Sequence, residues 1–385
     1  MVKEQKQGKQ SKMFKWLKRG DKQSSSSSVS QAQWRIVWRQ FRQHRLAMIC
    51  LWILVIAYLV GVVMPGFFAP NAKLTEYKYG HLPPQSIHFV DEEGNFHLRP
   101  FVYKRTMVTE NWEQKTKEIK DKRYPIKFFV RGAEYKLAGL FETNIHLFGV
   151  EEDAEIFPLG TDKLGRCLFS RIIYASRISL TIGFVGVAIS LVMGLIFGGI
   201  SGFFGGFIDD IIQRLIELLM SIPKLPLWMA LAAAVPAAWS SLQVYFAIVV
   251  LLSLLSWTGL ARVVRSQFMS LREQDFVLAA QGYNVATGPI IFRHLVPNFM
   301  SYLLVNLTLT IPAMILAETS LSFLGIGLKP PTVSLGVLMQ NAQNFQNIAL
   351  YPWILTPGLV IVLVVLAFNF VRSEERRVGK ECRSR

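Results

Sequence analysis

The sequence predicts an all-α polytopic membrane protein with six transmembrane helices and a small β-rich lobe outside the membrane. The chain has 385 residues, is 51% apolar and has a mean hydropathy of +0.33. Charged residues make up 18% of it, against about 25% in an average soluble protein. The apolar residues are grouped into runs long enough to cross a bilayer, and this grouping excludes a set of soluble domains.

The net charge of +16 lies mainly at the two ends of the chain. Residues 1–45 hold 12 Lys and Arg against 2 Asp and Glu, and residues 372–385 hold 6 against 3. A basic segment beside a membrane span commonly sets the orientation of the protein and contacts anionic lipid. Since no nucleic-acid motif accompanies the charge, we expect no binding of DNA or RNA.

The first predicted elements are a basic cytoplasmic tail and a surface helix, together residues 1–45. Residues 1–30 are rich in Lys, Gln and Ser, a composition typical of a tail without a hydrophobic core. Gln33 to Arg45 mixes two Trp and other apolar residues with four Arg, which favours an amphipathic helix on the membrane surface. Residues 46–64 carry no charge and predict the first transmembrane helix.

Residues 65–176 are predicted to form an extracytoplasmic lobe. They carry 16 Lys and Arg against 15 Asp and Glu. The lobe is either an accessory that docks a soluble partner or a folded spacer, and the residues leave both interpretations open. Short segments of alternating polarity between turn residues predict its strands, at Ser86–Val90, Phe96–Tyr103, Pro125–Arg131, Tyr135–Phe141 and Asn144–Val150.

Five further spans are predicted within residues 177–371. Six spans place both termini on one side of the membrane, and the basic N-terminal segment identifies that side as cytoplasmic. Loop 259–297 then lies in the cytoplasm, and its four Arg against one Glu and one Asp agree with this orientation. The predicted spans are Leu180–Ile200, Ile211–Val235 (interrupted by Pro223 and Pro226), Leu242–Trp257, Phe299–Leu316 (with Pro312) and Trp353–Val371.

The residues predict no catalytic centre, no cofactor and no metal site. The chain lacks the phosphate-binding motif G-x-x-x-x-G-K-[ST] and any Cys and His spacing suited to zinc. We expect no disulfide, because Cys50 and Cys382 are placed away from Cys167, which is predicted to lie outside. Glu318 is placed at the outer end of the fifth span, so no acidic residue is expected at mid-depth, which disfavours an ion-coupled transporter.

The segment from Arg272 to Asn298 is predicted to form two short helices on the cytoplasmic face. Asn284 can adopt the left-handed backbone that stops a first helix. Pro289 suits the first turn of a second helix, and Pro297 is expected to end it. The pair is either an element that transmits movement from a partner or an ordinary amphipathic linker, and the spacing alone leaves both open.

This segment resembles the coupling motif of permease subunits of bacterial ATP-binding-cassette importers, a pattern of the kind E-A-A-x-x-x-G-x9-I-x-L-P. Ala279 and Ala280 match the paired alanines, and Pro297 matches the motif proline. Leu278 stands at the Glu of the pattern and Asn284 at its Gly. The resemblance implies that an ATPase partner is contacted by Glu273, Ala279, Ala280, Gly282, Asn284, His294 and Pro297.

Three other runs narrow the resemblance to the C-type subunit of dipeptide, oligopeptide and nickel permeases. They are Phe157–Leu180, Gly202–Leu227 and Ala317–Gly336, and the run WRQFRQHRLAM near the N-terminus agrees with them. The resemblance covers about residues 31–371 and is weaker over 75–150. Cys167 stands where the family has Asp, and Ala175 where it has Gly. Residues 372–385 depart from the pattern and read as a cloning or assembly artefact.

The resemblance implies a type I importer permease fold and a non-catalytic transport subunit in the bacterial cytoplasmic membrane. Its partners would be a sister permease subunit, two cytosolic ATP-binding subunits that hydrolyse ATP, and an extracytoplasmic solute-binding protein. The chain would form half of a translocation path for di- and oligopeptides, or for nickel or another small solute. A secondary transporter and a membrane-anchored receptor acting through the outer lobe are the alternatives from other classes.

Overall fold

The computed structural model describes residue 42 and residues 44–70, 75–91, 93–110, 113–137, 141–150, 155–236 and 238–383. The predicted basic tail and most of the predicted surface helix lie outside these residues. The contacts divide the chain into two compact units. One comprises Met1–Leu51 with Phe370–Arg385, and the other comprises Trp52–Asn369.

Helices make up most of the described chain. Short π-helical turns occur at Leu59–Val63 and Ile290–Leu295, and 3₁₀ turns at Tyr77–Tyr79, Gln340–Gln343 and Pro352–Leu355. The α-helices are α1 (Arg45–Tyr58), α2 (Pro65–Phe68), α3 (Leu168–Phe204), α4 (Gly206–Ser221), α5 (Lys224–Ala233), α6 (Ser241–Arg272), α7 (Asp275–Gly282), α8 (Thr287–Pro289), α9 (Val296–Asn298), α10 (Met300–Phe323), α11 (Leu335–Met339), α12 (Phe345–Leu350) and α13 (Thr356–Arg383).

Within the described residues, five helices are long and apolar enough to cross a bilayer. A sixth span is formed if α4 and α5 count as one, although they are bent by 87° at Ile222 and Pro223. Proline has no N–H to donate and its ring clashes with the preceding turn, which favours a break in the helix at this point. The five are Arg45–Val63, Leu168–Phe204, Ser241–Arg272, Tyr302–Phe323 and Pro352–Arg372.

The first span agrees with the predicted residues 46–64 to within one residue at each end. The next helices extend further than predicted, since α3 begins at Leu168, α6 continues to Arg272 and α10 continues to Phe323. Hydropathy marks only the part of a helix that lies in hydrocarbon. Charged residues such as Arg177 and Arg262 end an apolar run without ending the helix.

The close packing of α3 against α6 forms the centre of the membrane core. A Cβ atom at Gly198 would lie 2.5 Å from the carbonyl oxygen of Ala261, and one at Gly202 would lie 2.6 Å from that of Arg265. Together with Gly194, these glycines recur every four residues and therefore share one face of α3. Small residues let two membrane helices approach to backbone contact, which is how α3 and α6 pack here.

The lobe between α2 and α3 contains two separate antiparallel sheets. One has the strand order β1-β2-β3, and the other is the hairpin β4-β5. The predicted β-rich lobe is therefore confirmed. The strands are β1 (His88–Val90), β2 (Phe96–Glu110), β3 (Glu113–Pro125), β4 (Lys127–Leu137) and β5 (Phe141–Gly149).

Two strand predictions in the lobe are wrong. Residues 104–110 and 113–124, assigned to no strand, form most of the strands β2 and β3. Their Lys, Arg and Glu fall at both odd and even sequence positions, so no alternation of apolar and polar residues marks them. Arg105 Nε and Glu118 Oε1 pair across the strands at 3.0 Å. The segments predicted as separate strands at 125–131 and 135–141 are mainly the single strand β4, whose register shifts between Arg131 and Tyr135.

Candidate coupling surface and its connection to the membrane core

Residues 273–298, here called the coupling segment, join α6 to α10. Their first helix, α7, ends in a turn in which Asn284 has a φ of 56°. The N–H of Asn284 donates to the carbonyl of Gln281 at 2.9 Å, and that of Val285 donates to the carbonyl of Ala280 at 3.1 Å. This pair of bonds with a left-handed residue is the Schellman motif. The predicted helix stop at Asn284 is therefore present.

The second half of the coupling segment differs from the single short helix that was predicted. It consists of α8, the π-helical turn Ile290–Leu295 and α9. Pro297 does not end this stretch, because it occupies the first turn of α9, where a missing N–H breaks no helical hydrogen bond. The break before α10 falls at Phe299, whose φ of −118° is not helical.

A buried apolar cluster attaches the coupling segment to the membrane helices. Val277 and Leu295 are each 0% exposed, and Ile290 is 2% exposed. The segment is therefore held by packing as well as by its two chain ends, so a force applied to it reaches α6 and α10. The cluster comprises Leu260, Val264 and Phe268 of α6, Val277, Ile290 and Leu295 of the segment, Phe299 immediately before α10, and Leu303 of α10.

The coupling segment also exposes several large apolar side chains, which are here called its open face. Tyr283 is 86% exposed and Phe292 is 73% exposed, and Leu278 is also exposed. Large exposed apolar side chains are typical of a surface that binds another protein or a membrane. The sequence motif identified the paired alanines and did not mark these larger side chains.

The structure distinguishes among the residues expected to contact an ATPase. Ala280 is only half-exposed because it packs against the buried apolar cluster. The side chain of His294 lies outside the part that the structure describes. The other expected residues are exposed, namely Glu273, Ala279, Gly282, Asn284 and Pro297.

Gly282 is not packed against any other part of this chain on the side where a side chain would project. A Cβ atom built there has no heavy atom within 4 Å, and the backbone of Gly282 is that of the last residue of α7 rather than left-handed. Nothing in this chain therefore requires glycine at this position. A close approach by another molecule would be a reason for it.

A charged network joins α3, α4 and α6 at the end of the core that carries the coupling segment. Arg265 Nε and one terminal nitrogen donate to the two carboxylate oxygens of Asp209 at 2.6 and 2.5 Å. Ser201 Oγ donates to Asp209 at 2.5 Å. Asp209 is 7% exposed, and a bidentate Arg–carboxylate pair of this kind fixes orientation as well as distance. Sequence reasoning missed the pair. The available signal was the group of three Arg, Arg262, Arg265 and Arg272, at the end of an otherwise apolar helix.

Glu318 is not at the end of the fifth span, as the sequence suggested, because α10 continues beyond it to Phe323. The side chain of Glu318 is 0% exposed. It accepts hydrogen bonds from Ser179 Oγ at 3.0 Å and Ser322 Oγ at 2.7 Å. No ion pair to Glu318 occurs among the described residues. Hydroxyl groups from α3 and α10 therefore stabilise this carboxyl group.

The loop before α3 is organised around Asp162. Its carboxylate accepts from Arg166 Nε at 2.9 Å, from the N–H of Leu164 at 2.9 Å and from a terminal nitrogen of Arg171. Burial opposes ionisation of Asp162, but the hydrogen bonds from Arg166 and the charge of Arg171 outweigh it, so the pKa of Asp162 is lowered. Gly165 has a φ of 74°, and a Cβ there would overlap the carbonyl oxygen of Glu76.

Comparisons with known proteins bear on this architecture. Residues 194–377 match the family described as binding-protein-dependent transport system inner membrane component. Residues 32–84 match the N-terminal transmembrane domain of oligopeptide transport permease C.

Individual relatives extend these matches. The chain is 31% identical over 341 residues to the dipeptide transport system permease protein DppC of Lactococcus lactis, covering 86% of each. It is 39% identical over 213 residues to the oligopeptide transport system permease protein OppC of Escherichia coli, covering 55% of this chain and 68% of OppC. A solved inward-facing structure of the MetNI methionine ABC transporter matches with a TM-score of 0.42 and 18% identity, over 54% of this chain and 95% of that one.

Proposed function

Because this chain belongs to the family of binding-protein-dependent transport system inner membrane components, we propose that it is a permease subunit of an ATP-driven peptide importer. The observation that carries this proposal is the 31% identity to a dipeptide permease over 86% of both chains. The matched 341 residues include the membrane helices as well as the lobe. This extent disfavours a receptor that would function through the lobe alone. The relatives are subunits of transport systems and give no support to a secondary transporter.

The proposed assembly contains a sister permease, two cytosolic ATP-binding subunits and an extracytoplasmic solute-binding protein. This chain supplies half of the translocation path and hydrolyses no ATP itself. Both termini and the coupling segment lie in the cytoplasm, and the lobe lies outside. The basic residues before α1 and in loop 259–297 support this orientation.

In this proposal the ATP-binding subunit contacts the open face of the coupling segment. The contacts are made by the large exposed side chains Tyr283 and Phe292 together with the expected residues that are exposed. Ala280 does not belong to this contact surface. It packs α7 against the buried apolar cluster. His294 remains an expected contact.

Movement of the ATP-binding subunits passes into the membrane through packed groups. The buried apolar cluster carries it to α6 and α10. The glycine face of α3 and the Asp209–Arg265 pair make α3, α4 and α6 move together. Because tightly packed interfaces change between discrete arrangements, a displacement of the coupling segment changes which end of the path is open.

The substitution Gly282→Glu tests the coupling surface. The open space at Gly282 accommodates the side chain within this chain, and Glu is a better helix former than Gly by at most about 1 kcal/mol. At a contact with another protein, the added bulk alone costs about 1–3 kcal/mol. We therefore expect normal insertion and thermal stability, at least about tenfold lower recovery of ATP-binding subunits with the purified complex, and loss of peptide-stimulated ATP turnover.

Two further variants make this result interpretable. Tyr77→Glu places the same charge at a 76% exposed position in the outer lobe, and recovery of the ATP-binding subunits should be unchanged. Ala280→Glu should lower both thermal stability and recovery, because Ala280 packs on the apolar cluster. Wild-type recovery and turnover in Gly282→Glu would show that the coupling segment is not the contact. A wild-type chain that co-purifies with no ATP-binding subunit would refute the proposed function.

A further inference from the structure

A cavity of about 290 Å³ opens between the end of α5, the start of α6 and the loop that follows α10. Trp239, Val244 and Ile248 form its apolar wall, and residues 326–332 form the facing wall. The helix α6 begins beside this cavity and ends at the coupling segment. The helix α10 begins after the coupling segment and ends just before the loop that lines the cavity. The cavity therefore lies at the opposite end of the core from the coupling segment, which is the outer end in the orientation proposed above.

Lys329 is the one ionisable side chain among the described residues that line this cavity. It is exposed, and within the described part of the chain no acidic side chain pairs with it. Residues 225–261 contain no charged side chain, and residues 319–371 contain only Lys329. A positive charge that lies beside an apolar wall and has no counter-ion attracts an anionic group more strongly than a fully solvated positive charge does.

The backbone that carries Lys329 is held in place by α10. Ser322 Oγ, which donates to Glu318, accepts the N–H of Leu328 at 3.1 Å. The N–H groups of Ile326 and Gly327 donate to the carbonyl of Leu321 at 3.1 and 2.9 Å. The loop is therefore ordered before any ligand arrives, which lowers the entropic cost of binding.

The start of α6, on the other side of the cavity, is held by a capping box. The backbone N–H of Ser240 donates to Gln243 Oε1 at 2.8 Å, and the N–H of Gln243 donates to Ser240 Oγ at 3.4 Å. Both walls of the cavity are thus fixed by local hydrogen bonds.

We propose that this cavity receives the C-terminal end of the transported peptide, with Lys329 Nζ paired to the peptide α-carboxylate. The side chain of the last peptide residue packs on Trp239, Val244 and Ile248. An α-carboxylate ends every unmodified peptide whatever its sequence, so one lysine can recognise peptides as a class. The volume is at the lower end of the ~300–1,000 Å³ of small-molecule sites, which suits the end of a peptide better than a whole one. This inference rests on the proposed peptide-importer function.

The test uses the complete importer in proteoliposomes with its binding protein and ATP. The probes are a radiolabelled Ala-Ala-Phe tripeptide with a free carboxylate and the same tripeptide as its C-terminal amide. Each is supplied at a concentration that saturates the binding protein, whose affinity for both is measured separately. We expect the Lys329→Gln variant to take up the free acid about tenfold more slowly than the wild type and the amide at the wild-type rate.

Two variants serve as controls for charge and position. Lys329→Arg keeps the positive charge and should retain most of the uptake of the free acid. Lys163→Gln removes an exposed lysine from the loop before α3 and should leave both rates unchanged.

Three outcomes overturn the inference. Equal loss of uptake of acid and amide in Lys329→Gln would mean that Lys329 contacts another group, such as an acidic residue of the binding protein. Unchanged uptake of both would mean that the cavity does not bind the carboxylate. Absence of ATP-driven uptake of either peptide by the wild-type importer would refute the proposed function itself, and the inference with it.

Discussion

At the scale of single residues, His81 has a strained backbone and a half-buried ring. Its φ is 57°, and its imidazole stacks on Tyr351 with the ring centroids 4.0 Å apart. Burial lowers the pKa of His81, the nearby Asp162 opposes this effect, and Lys163 adds to it. Nδ1 is buried and has no hydrogen-bond partner within the described residues. The ring is therefore neutral in the folded protein at neutral pH.

We expect acidification from pH 7.5 to 5.5 to lower the thermal stability of the purified complex through His81. An unfolded histidine titrates near about 6.5, so below that pH the unfolded state binds a proton that the folded state resists. The free energy of unfolding therefore falls as the pH falls. In His81→Asn this contribution is absent, and Asn tolerates the left-handed backbone. The measurement is the unfolding midpoint at both pH values.

Only the pH-dependent change in the midpoint is compared, because loss of the stacked ring lowers the stability of His81→Asn at every pH. If the wild type and His81→Asn lose the same number of degrees between pH 7.5 and 5.5, His81 is not the titrating group.

At the scale of elements, the face formed by Gly194, Gly198 and Gly202 determines how closely α3 approaches α6. A Cβ at Gly198 would meet backbone rather than a flexible side chain, since the carbonyl oxygen of Ala261 is 2.5 Å away. A Cβ atom built at Gly259 on α6 has no heavy atom within 4 Å. The two glycines therefore provide a matched pair in which only one is needed for packing.

We expect Gly198→Val to destabilise the protein by about 1–3 kcal/mol or more, because the two helix backbones must move apart. Gly259→Val makes the same chemical change inside a membrane helix and should leave the unfolding midpoint close to that of the wild type. Thermal unfolding in one detergent measures both variants. Equal shifts in the two variants would mean that helix propensity, and not the α3–α6 contact, governs stability.

At the scale of the whole molecule, the orientation proposed above assigns the lobe to the outside and the coupling segment to the cytoplasm. Leu98 in the lobe is 88% exposed and Tyr283 in the coupling segment is 86% exposed, so each can carry a reporter thiol. The native Cys167 is 1% exposed and burial raises its pKa, which makes it unreactive toward thiol reagents.

In intact spheroplasts, a membrane-impermeant maleimide should label Leu98→Cys and should leave Tyr283→Cys unlabelled until the membrane is permeabilised. Both variants are made with Cys382→Ser so that the C-terminal thiol does not contribute. The chain without either introduced cysteine sets the background. Labelling of Tyr283→Cys before permeabilisation would reverse the proposed orientation.

The sequence alone determined the class of the molecule, the bounds of the first span and the turn at Asn284. These features depend on the hydropathy of one continuous stretch or on the backbone preference of one residue, and both can be read locally. The paired alanines and Pro297 likewise located the coupling segment without any knowledge of its surroundings.

Only the tertiary structure decided how the coupling segment is divided between an inner and an outer face. Ala280 and Gly282 are two residues apart, yet the first packs on the apolar cluster and the second is open, because α6 and α10 cover one side of α7. The pair Asp209 and Arg265 and the burial of Glu318 among hydroxyl groups likewise join distant parts of the chain. No local pattern records such pairs, since their energy depends on which helices pack together and not on which residues are neighbours in sequence.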